Sequence, residues 1–463
     1  MKRFKKASYF FIAFSCLLSV VGFGCQGLSQ SQKQATKPVN LEYWTVYDDV
    51  DALQKLINEY QVARPYLKVK LRQLRADEIY PRLLEALAED RGPDIISVST
   101  RSLGTYLSKL GPMPASVPDT IVRVESGTLG QTTTVVPQTQ ALPNLTSLDN
   151  EYVQTIKKDV VRGGQIYGLP LSLDTMAIFY NKDLLDRANI AEPPKTWDEF
   201  QADVKKITKY DKSTGAIIQS GAALGSGRTV PGSDDLLAIL FKQSGVDMVD
   251  QGGKVVFNAA PQNNRETTAA MGVLNFYTDF ANPTRDTYAW SDSLGAALDN
   301  FVAGKAGFFF GYSFNNAAIR ARAPQLNFRI MPLLQLSPDH PVNVANYHIQ
   351  SVLTKSKHQD AAWGLINFLT HSPATKEYLD QTGRPTAIRK FISDQQEKED
   401  LKPFVSQLLV ADNWYHGNNY EAAQRALNDM LSDWLQTPPD PNYATAWRQD
   451  ILNRAAERIN QTL

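Results

Sequence analysis

The side chains that most often carry out covalent or acid–base chemistry have no catalytic spacing in this chain. The five histidines, His340, His348, His358, His371 and His416, show no metal-ligand pattern such as HExxH. There is no GxSxG turn, and both cysteines, Cys16 and Cys25, lie near the amino terminus. The neighbours Asp234 and Asp235 could in principle serve glycoside hydrolysis, but at a predicted helix start such acids are normally caps and solvated charge. No cofactor and no metal is expected. The remaining candidates suit reversible recognition. Asp174 stands inside an apolar run, LPLSLDTMAIF, where a buried carboxylate needs a partner. Trp44 and Tyr47 fall at the end of the first predicted strand, Arg75 and Asp77 follow the second, and Ser99, Thr100 and Arg101 follow the third. Trp290 lies near Tyr288 in an otherwise polar turn. Aromatic rings offer flat apolar faces to a small ligand, and carboxylates, arginines and amides offer it hydrogen bonds. Each also has a structural alternative: Trp44 and Tyr47 as core, Asp77 as a helix cap.

These residues require an α/β frame. Leu41–Val46 reads as a strand, and Leu53, Leu56, Ile57 and Tyr60 mark a helix stopped by Pro65. Leu67, Val69 and Leu71 alternate with basic residues as a half-buried strand. Asp77 is placed as the cap of the next helix, and Asp94–Ser99 as a third strand. Strands alternating with helices imply a parallel sheet with its functional loops at the carboxyl ends. From Pro112 to Ser147 the pattern dissolves into Pro, Thr, Ser and Val, read as a surface loop, a lid or a docking contact. Met176–Tyr180 forms a buried strand, and Thr196 with Glu199 forms a capping box. Gly215–Gly232 is a glycine-rich loop without the GK[ST] of a phosphate loop. Gly304–Phe314 reads as a strand and the start of a helix.

At 463 residues the chain is too long for one compact domain and fits two lobes. Hydrophobic residues make up 43%, enough for buried cores. Of 48 basic residues, four stand in the first 24 positions without an acid; the remainder carries a net charge of about −4, which argues against nucleic acid. The basic start, the apolar run Ala7–Phe23 and the small residues before Cys25 have the form of an export signal. Cys25 is either the lipid-modified first residue of a mature lipoprotein or part of a retained anchor helix. Gln26–Pro38 reads as a flexible spacer.

The words of the chain narrow the reading. YGLP, a strand ending in YNKDLL, and PPKTWDEF follow one another within Gln165–Phe200. In this order they closely resemble the family-one extracellular solute-binding proteins of ABC importers, relatives of which bind maltose and other sugars. LEYW, a helix ending in ARP, and GPDIISV match that family's first lobe, while SKHQDAAWGLINFLT and LDQTGRPTAIR match its later helices and turn. GKAGFFFGYSF resembles the family's GKAAM motif, which ends in Gly-x-Trp; Phe314 takes the Trp position, and Tyr312 replaces a small residue and narrows the space. The resemblance covers nearly everything from Leu41 onward.

It implies an α/β class II periplasmic-binding-protein fold. Each lobe would hold a mixed, mostly parallel sheet flanked by helices, with hinge crossings between the lobes. The expected division is a signal at 1–24, a spacer at 25–39, lobe 1 at 40–172 and 346–396, and lobe 2 at 173–345 and 397–463. The ligand would sit in the inter-lobe cleft, near Asp174 and the crossing residues Asn346 and Tyr347. Trp414 and Tyr415 match a late aromatic pair that stacks on sugar in relatives. With Trp44, Tyr47, Arg75, Trp290, Tyr312 and Phe314 they complete the expected ligand set. The partners implied are a carbohydrate and an ABC permease, with the protein a monomer tethered outside the cytoplasmic membrane of a bacterium. A polyamine, phosphate ester or peptide ligand is the alternative within the class, and a secreted glycoside-active enzyme the alternative outside it. If Cys25 is the tether, intact-mass analysis will show lipid on it, and Cys25→Ser will release the protein or leave the precursor unprocessed. A lipid-free wild type removes the lipoprotein, and retained residues 1–24 point to the anchor helix.

Overall fold

The computed structural model describes residues 29–127, 130–260 and 267–463, so the signal segment and Cys25 lie outside the described residues. Part of the expected spacer is ordered as the helix Gln30–Ala35, because Ser29 and Gln32 form a reciprocal capping box. No helix among the described residues is long and apolar enough to cross a membrane.

Two sheets define two lobes. In the first, Val39–Thr45 pairs in parallel with Leu67–Gln73 on one side and Ile95–Ser99 on the other. The helix Val50–Val62 connects the first two strands; Asp49 caps it, and Leu53, Leu56, Ile57 and Tyr60 form its buried stripe. His348–Leu353 then pairs antiparallel with Ile95–Ser99, Leu110–Gly111 and Leu169–Pro170. The second sheet runs Lys209–Tyr210, Ile217–Ala222, Ala306–Gly311, Ala177–Asn181, Phe328–Pro332. Within it only Ile217–Ala222 with Ala306–Gly311 is parallel among the described residues. Both sheets are thus mixed, with fewer parallel pairings than the strand–helix alternation implied. A strand returning from the other lobe enters its sheet at the cleft end and runs against its neighbour.

Leu41, Tyr43, Ile95, Ile349 and Trp363 belong to one core. A second core gathers Phe200, Leu236, Leu274 and Leu427, and beside it Phe179 packs against Phe301, Phe309, Phe328 and Phe404. The chain after residue 397 does not pass directly to the second lobe. Leu401, Val405, Leu408 and Ala411 pack in the first core, and Phe404 between them packs in the Phe179 cluster of the second lobe. Thr196 does cap the helix Trp197–Ile207, but the Glu199 carboxylate reaches Lys195 N rather than Thr196 N.

Three short strands join the lobes. Asp174–Thr175 pairs antiparallel with Asn343–Asn346, which pairs in parallel with Ala411–Asp412. The Asn343 amide fastens this crossing. Its Oδ1 accepts from Met176 N at 3.0 Å, and its Nδ2 donates to Met176 O at 2.8 Å.

The stretch from Pro112 to Ser147 is not an irregular loop. Ser116–Gly127 and Gly130–Ala141 form an antiparallel ribbon in continuous register. Its many valines and threonines favour extended backbone, and Pro118 and Pro137 are tolerated because both strands are edges. Asp119 anchors the base: it accepts from Arg64 Nε at 2.8 Å, Arg64 Nη2 at 2.6 Å and Gln138 Nε2 at 2.8 Å. Burial works against the Asp119 charge, but these donors hold its carboxyl below the usual range. Breaking a buried pair from one side costs about 3–5 kcal/mol. Arg64→Ala is therefore expected to lower the urea-unfolding free energy by about that amount and to speed amide exchange in the ribbon. Wild-type exchange there would show that the pair is not the anchor.

Candidate functional site

Between the lobes lies a cavity of about 410 Å³. The first lobe supplies Tyr47, Asp48, Ser97, Ser99, Arg101 and Arg384; the crossing supplies Asp174, Asn346, Tyr347 and His348; the second lobe supplies Phe314, Tyr420 and Glu421. Most first-lobe residues sit where strands end at the cleft, because that is where parallel strands release their loops. A further hollow of about 400 Å³ shares Tyr47, Asp48, Phe314 and Arg384 with it, so the cleft continues outward.

Asp174 lies at the floor. Its Oδ1 accepts from Thr175 N at 2.9 Å, and its Oδ2 accepts from Ser313 N at 2.8 Å and Ser313 Oγ at 2.6 Å. The Ser313 amide opens the helix Ser313–Arg322, so the carboxylate meets the positive end of that helix. Burial nevertheless pushes the Asp174 carboxyl up to about 6, against the Ser313 bonds. Burial pushes His348 down to about 4, helped by the charges of Arg384 and Arg101, so its ring is neutral at pH 7. A neutral imidazole offers one donor and one acceptor.

Two aromatic faces stay open, one from each lobe. Tyr47 is 57% exposed and meets the His348 ring edge-on at 5.2 Å. Phe314 is 47% exposed and stacks on Tyr312 at 5.8 Å. The structure thus brings Tyr47, Asp174, Phe314, Asn346 and Tyr347 to one cavity, the Tyr347 hydroxyl being turned away to Asp159 Oδ2 at 2.7 Å.

Other expected ligand residues are placed elsewhere. Trp44 is core: its indole donates to Glu42 Oε1 at 2.7 Å, and Arg72 lies over its ring. Arg75 is exposed and spends its guanidinium on Asp77, while the neighbouring Ala76 lines the cavity. Asp77 is not the helix cap, since that helix begins at Ile79 after Glu78. Trp290 is fully buried and donates to Thr229 Oγ1 at 2.9 Å. Tyr312 is buried, with its hydroxyl on Asp235. Tyr415 is buried and donates to Thr462 O at 2.9 Å. Trp414 lines a separate hollow with Lys158, Lys242, Asp412 and His416. The chain leaves the third crossing strand at Asp412 on that side and returns to the cleft only at Tyr420.

Arg384, His348 and Tyr420 were missed as cleft residues. Arg384 lies within the LDQTGRPTAIR turn, whose Gly-Arg-Pro signalled a bend but no role. Tyr420 starts the helix Tyr420–Trp434, and the bulkier Trp414-Tyr415 pair drew attention upstream. Among the described residues no group of His, Cys, Asp or Glu is arranged to hold a metal ion.

The Asp174 shift has a thermodynamic consequence. Its folded pKa of about 6 lies above the ordinary value of 3.8, so the folded chain holds the proton more tightly. Stability from this group is complete below pH 4 and is lost as pH rises to about 6. Asp174→Asn is expected to remove that loss, about 3 kcal/mol for a shift of this size. Urea unfolding of wild type and variant between pH 4 and 7 measures it, and parallel pH profiles would contradict it.

Comparison with known proteins agrees with this architecture. Residues 46–376 match the family model described as bacterial extracellular solute-binding protein. The multiple sugar-binding protein of Streptococcus mutans is 22% identical over 437 residues, covering 90% of this chain and 89% of that one. The galactooligosaccharide-binding protein of Bacillus subtilis is 21% identical, covering 85% and 83%. Binding proteins of Brucella abortus are 26% identical, and the match spans about half of either chain (50% and 53%). Among solved structures, the cyclic α-maltosyl-1,6-maltose binding protein of Arthrobacter globiformis superposes with a TM-score of 0.68 at 18% identity, covering 92% of this chain and 98% of that one. A Thermotoga lettingae solute-binding protein bound with α-D-tagatose gives 0.65 at 17% identity, covering 91% and 99%. At these identities the structures establish the two-lobed fold, and the family match extends over most of both lobes. The chain belongs to the bacterial extracellular solute-binding proteins.

Proposed function

We propose that this chain is the extracytoplasmic binding component of an ABC importer and captures a carbohydrate in the cleft between its lobes. The observation that carries this is the pair of open aromatic faces, Tyr47 and Phe314, on opposite lobes above a polar floor of Asp174, Asn346, His348 and Arg384. A pyranose presents flat C–H faces to such rings and hydroxyls to such a floor. The sugar-binding names of full-length relatives support the same class. One neighbour is bound with α-D-tagatose and another is named for binding cyclic α-maltosyl-1,6-maltose, so the fold leaves ligand size open. No bond is made or broken in this reading. Both Asp174 oxygens are already engaged by donors, which suits a positioning group better than a general acid. A membrane permease receives the ligand, and the Cys25 region tethers a monomeric protein outside the membrane.

A thermal-shift screen with tagatose, maltose, galacto-oligosaccharides and arabino-oligosaccharides tests this, because a ligand of the folded state raises its melting temperature. Tyr47→Ala and Phe314→Ala are each expected to weaken the best ligand about tenfold to hundredfold, the loss of about 1.4–3 kcal/mol at a binding anchor. Trp414→Ala should leave its affinity unchanged. Affinity loss only in the Trp414 variant would move the site to the other hollow, and turnover of any sugar would replace a binder with an enzyme.

A further inference from the structure

Arg101 belongs to the first lobe, in the turn Thr100–Ser102 after the strand Ile95–Ser99. Its guanidinium is buried in the second. Nη1 donates to Asp235 Oδ2 at 3.0 Å, Nη2 lies within ion-pair distance of Asp235 Oδ1 at 2.8 Å, and Nη2 donates to Ala345 O of the crossing at 3.3 Å. Asp235 stands in the helix Ser233–Gln243, whose Leu236, Leu237 and Ile239 are second-lobe core. Nη1 also donates to the Tyr420 hydroxyl at 2.9 Å; that hydroxyl bonds Asp234, and the Tyr312 hydroxyl bonds Asp235. Arg101 is the one first-lobe member of this network. The side chains of Arg101 and Asp235 are 10% and 4% exposed.

The surrounding contact is tight. Thr105 Oγ1 donates to Asn418 O at 2.6 Å, and a Cβ added to Gly104 would stand 2.2 Å from Gly417 O. The chain at Gly104 and Thr105 therefore rests directly on the chain at Gly417 and Asn418.

We infer that Arg101 is a latch: its buried ion pair with Asp235 draws the two lobes together before any ligand enters. Separation exposes Arg101 to water, but it leaves Asp234 and Asp235 side by side without the cation that lies between them and the first lobe. Like charges that lose their counter-ion raise the free energy of the open form. Arginine suits the role because its planar guanidinium reaches Asp235, the Tyr420 hydroxyl and Ala345 O together in one fixed geometry. The consequence is a closed, empty form in equilibrium with an open one, so a ligand entering through the open form binds with affinity reduced by the open fraction.

Small-angle scattering of the ligand-free protein tests this without a known ligand. Wild type should fit the closed arrangement with no carbohydrate present. Arg101→Ala should shift the radius of gyration upward and speed amide exchange in the crossing strands. Arg101→Lys retains the charge beside the two aspartates, which guards against misfolding, and should give an intermediate radius. Separated lobes in the ligand-free wild type overturn the latch, as does a compact Arg101→Lys indistinguishable from wild type. The outcome is independent of the carbohydrate reading: a latched protein that binds no sugar keeps the latch and loses the ligand, and an open sugar binder does the reverse.

Discussion

Among the described residues the two lobes are continuous through three strands, and the side chain of Asn343 holds the crossing together. A primary amide presents a donor and an acceptor in one plane, so it can satisfy both the N–H and the C=O of Met176. Asn343 also donates to Gln407 Oε1 at 2.9 Å, which ties the third crossing segment to the other two. All of this lies in a buried environment, where an unpaired backbone group would be costly. The hinge is consequently narrow and well defined, and residues on either side of it, Asp174 and Asn346 among them, enter the cleft at fixed positions.

That constraint explains the double character of Asp174. The acid sits inside an apolar strand entry because the chain is changing lobes there, and the helix start at Ser313 meets it with two donors. A residue at such a junction positions the second lobe's helix whether or not a ligand is present. Ligand recognition then draws on a group whose geometry is already set, which lowers the ordering cost of binding.

Much of the fold was legible. Period-two alternation at Leu67–Leu71 and helical spacing at Leu53–Tyr60 reflect burial against a single core, which local pattern records directly. The site was legible only where position along a strand decided it. Tyr47 and Asp174 follow that rule. Trp44 and Trp290 do not, because a tryptophan is drawn to core and to cleft by the same apolar surface, and only tertiary packing separates the two. The ribbon of Ser116–Gly127 and Gly130–Ala141 escaped because Thr, Val and Pro mixtures read as loop when no helix follows them, and its register is specified by pairing between the two strands rather than by periodicity. Arg101 was noted after the third strand as a possible ligand contact, but its partner Asp235 stands far along the chain. No spacing rule reaches across that distance.

The route of the chain through the lobes also bears on how the molecule assembles. All five strands of the second sheet come from one continuous stretch, Ala177 to Pro332. In the first sheet, Ile95–Ser99 has His348–Leu353 as its neighbour on one side, with Ser99 opposite His348. Closing that pair requires a loop that contains the whole second sheet, and loop-closure entropy makes such non-local pairings slow. The second sheet can therefore form before the first is complete. The first lobe stays an incomplete three-stranded sheet, with Ile95–Ser99 as an uncovered edge, until the return strand reaches it.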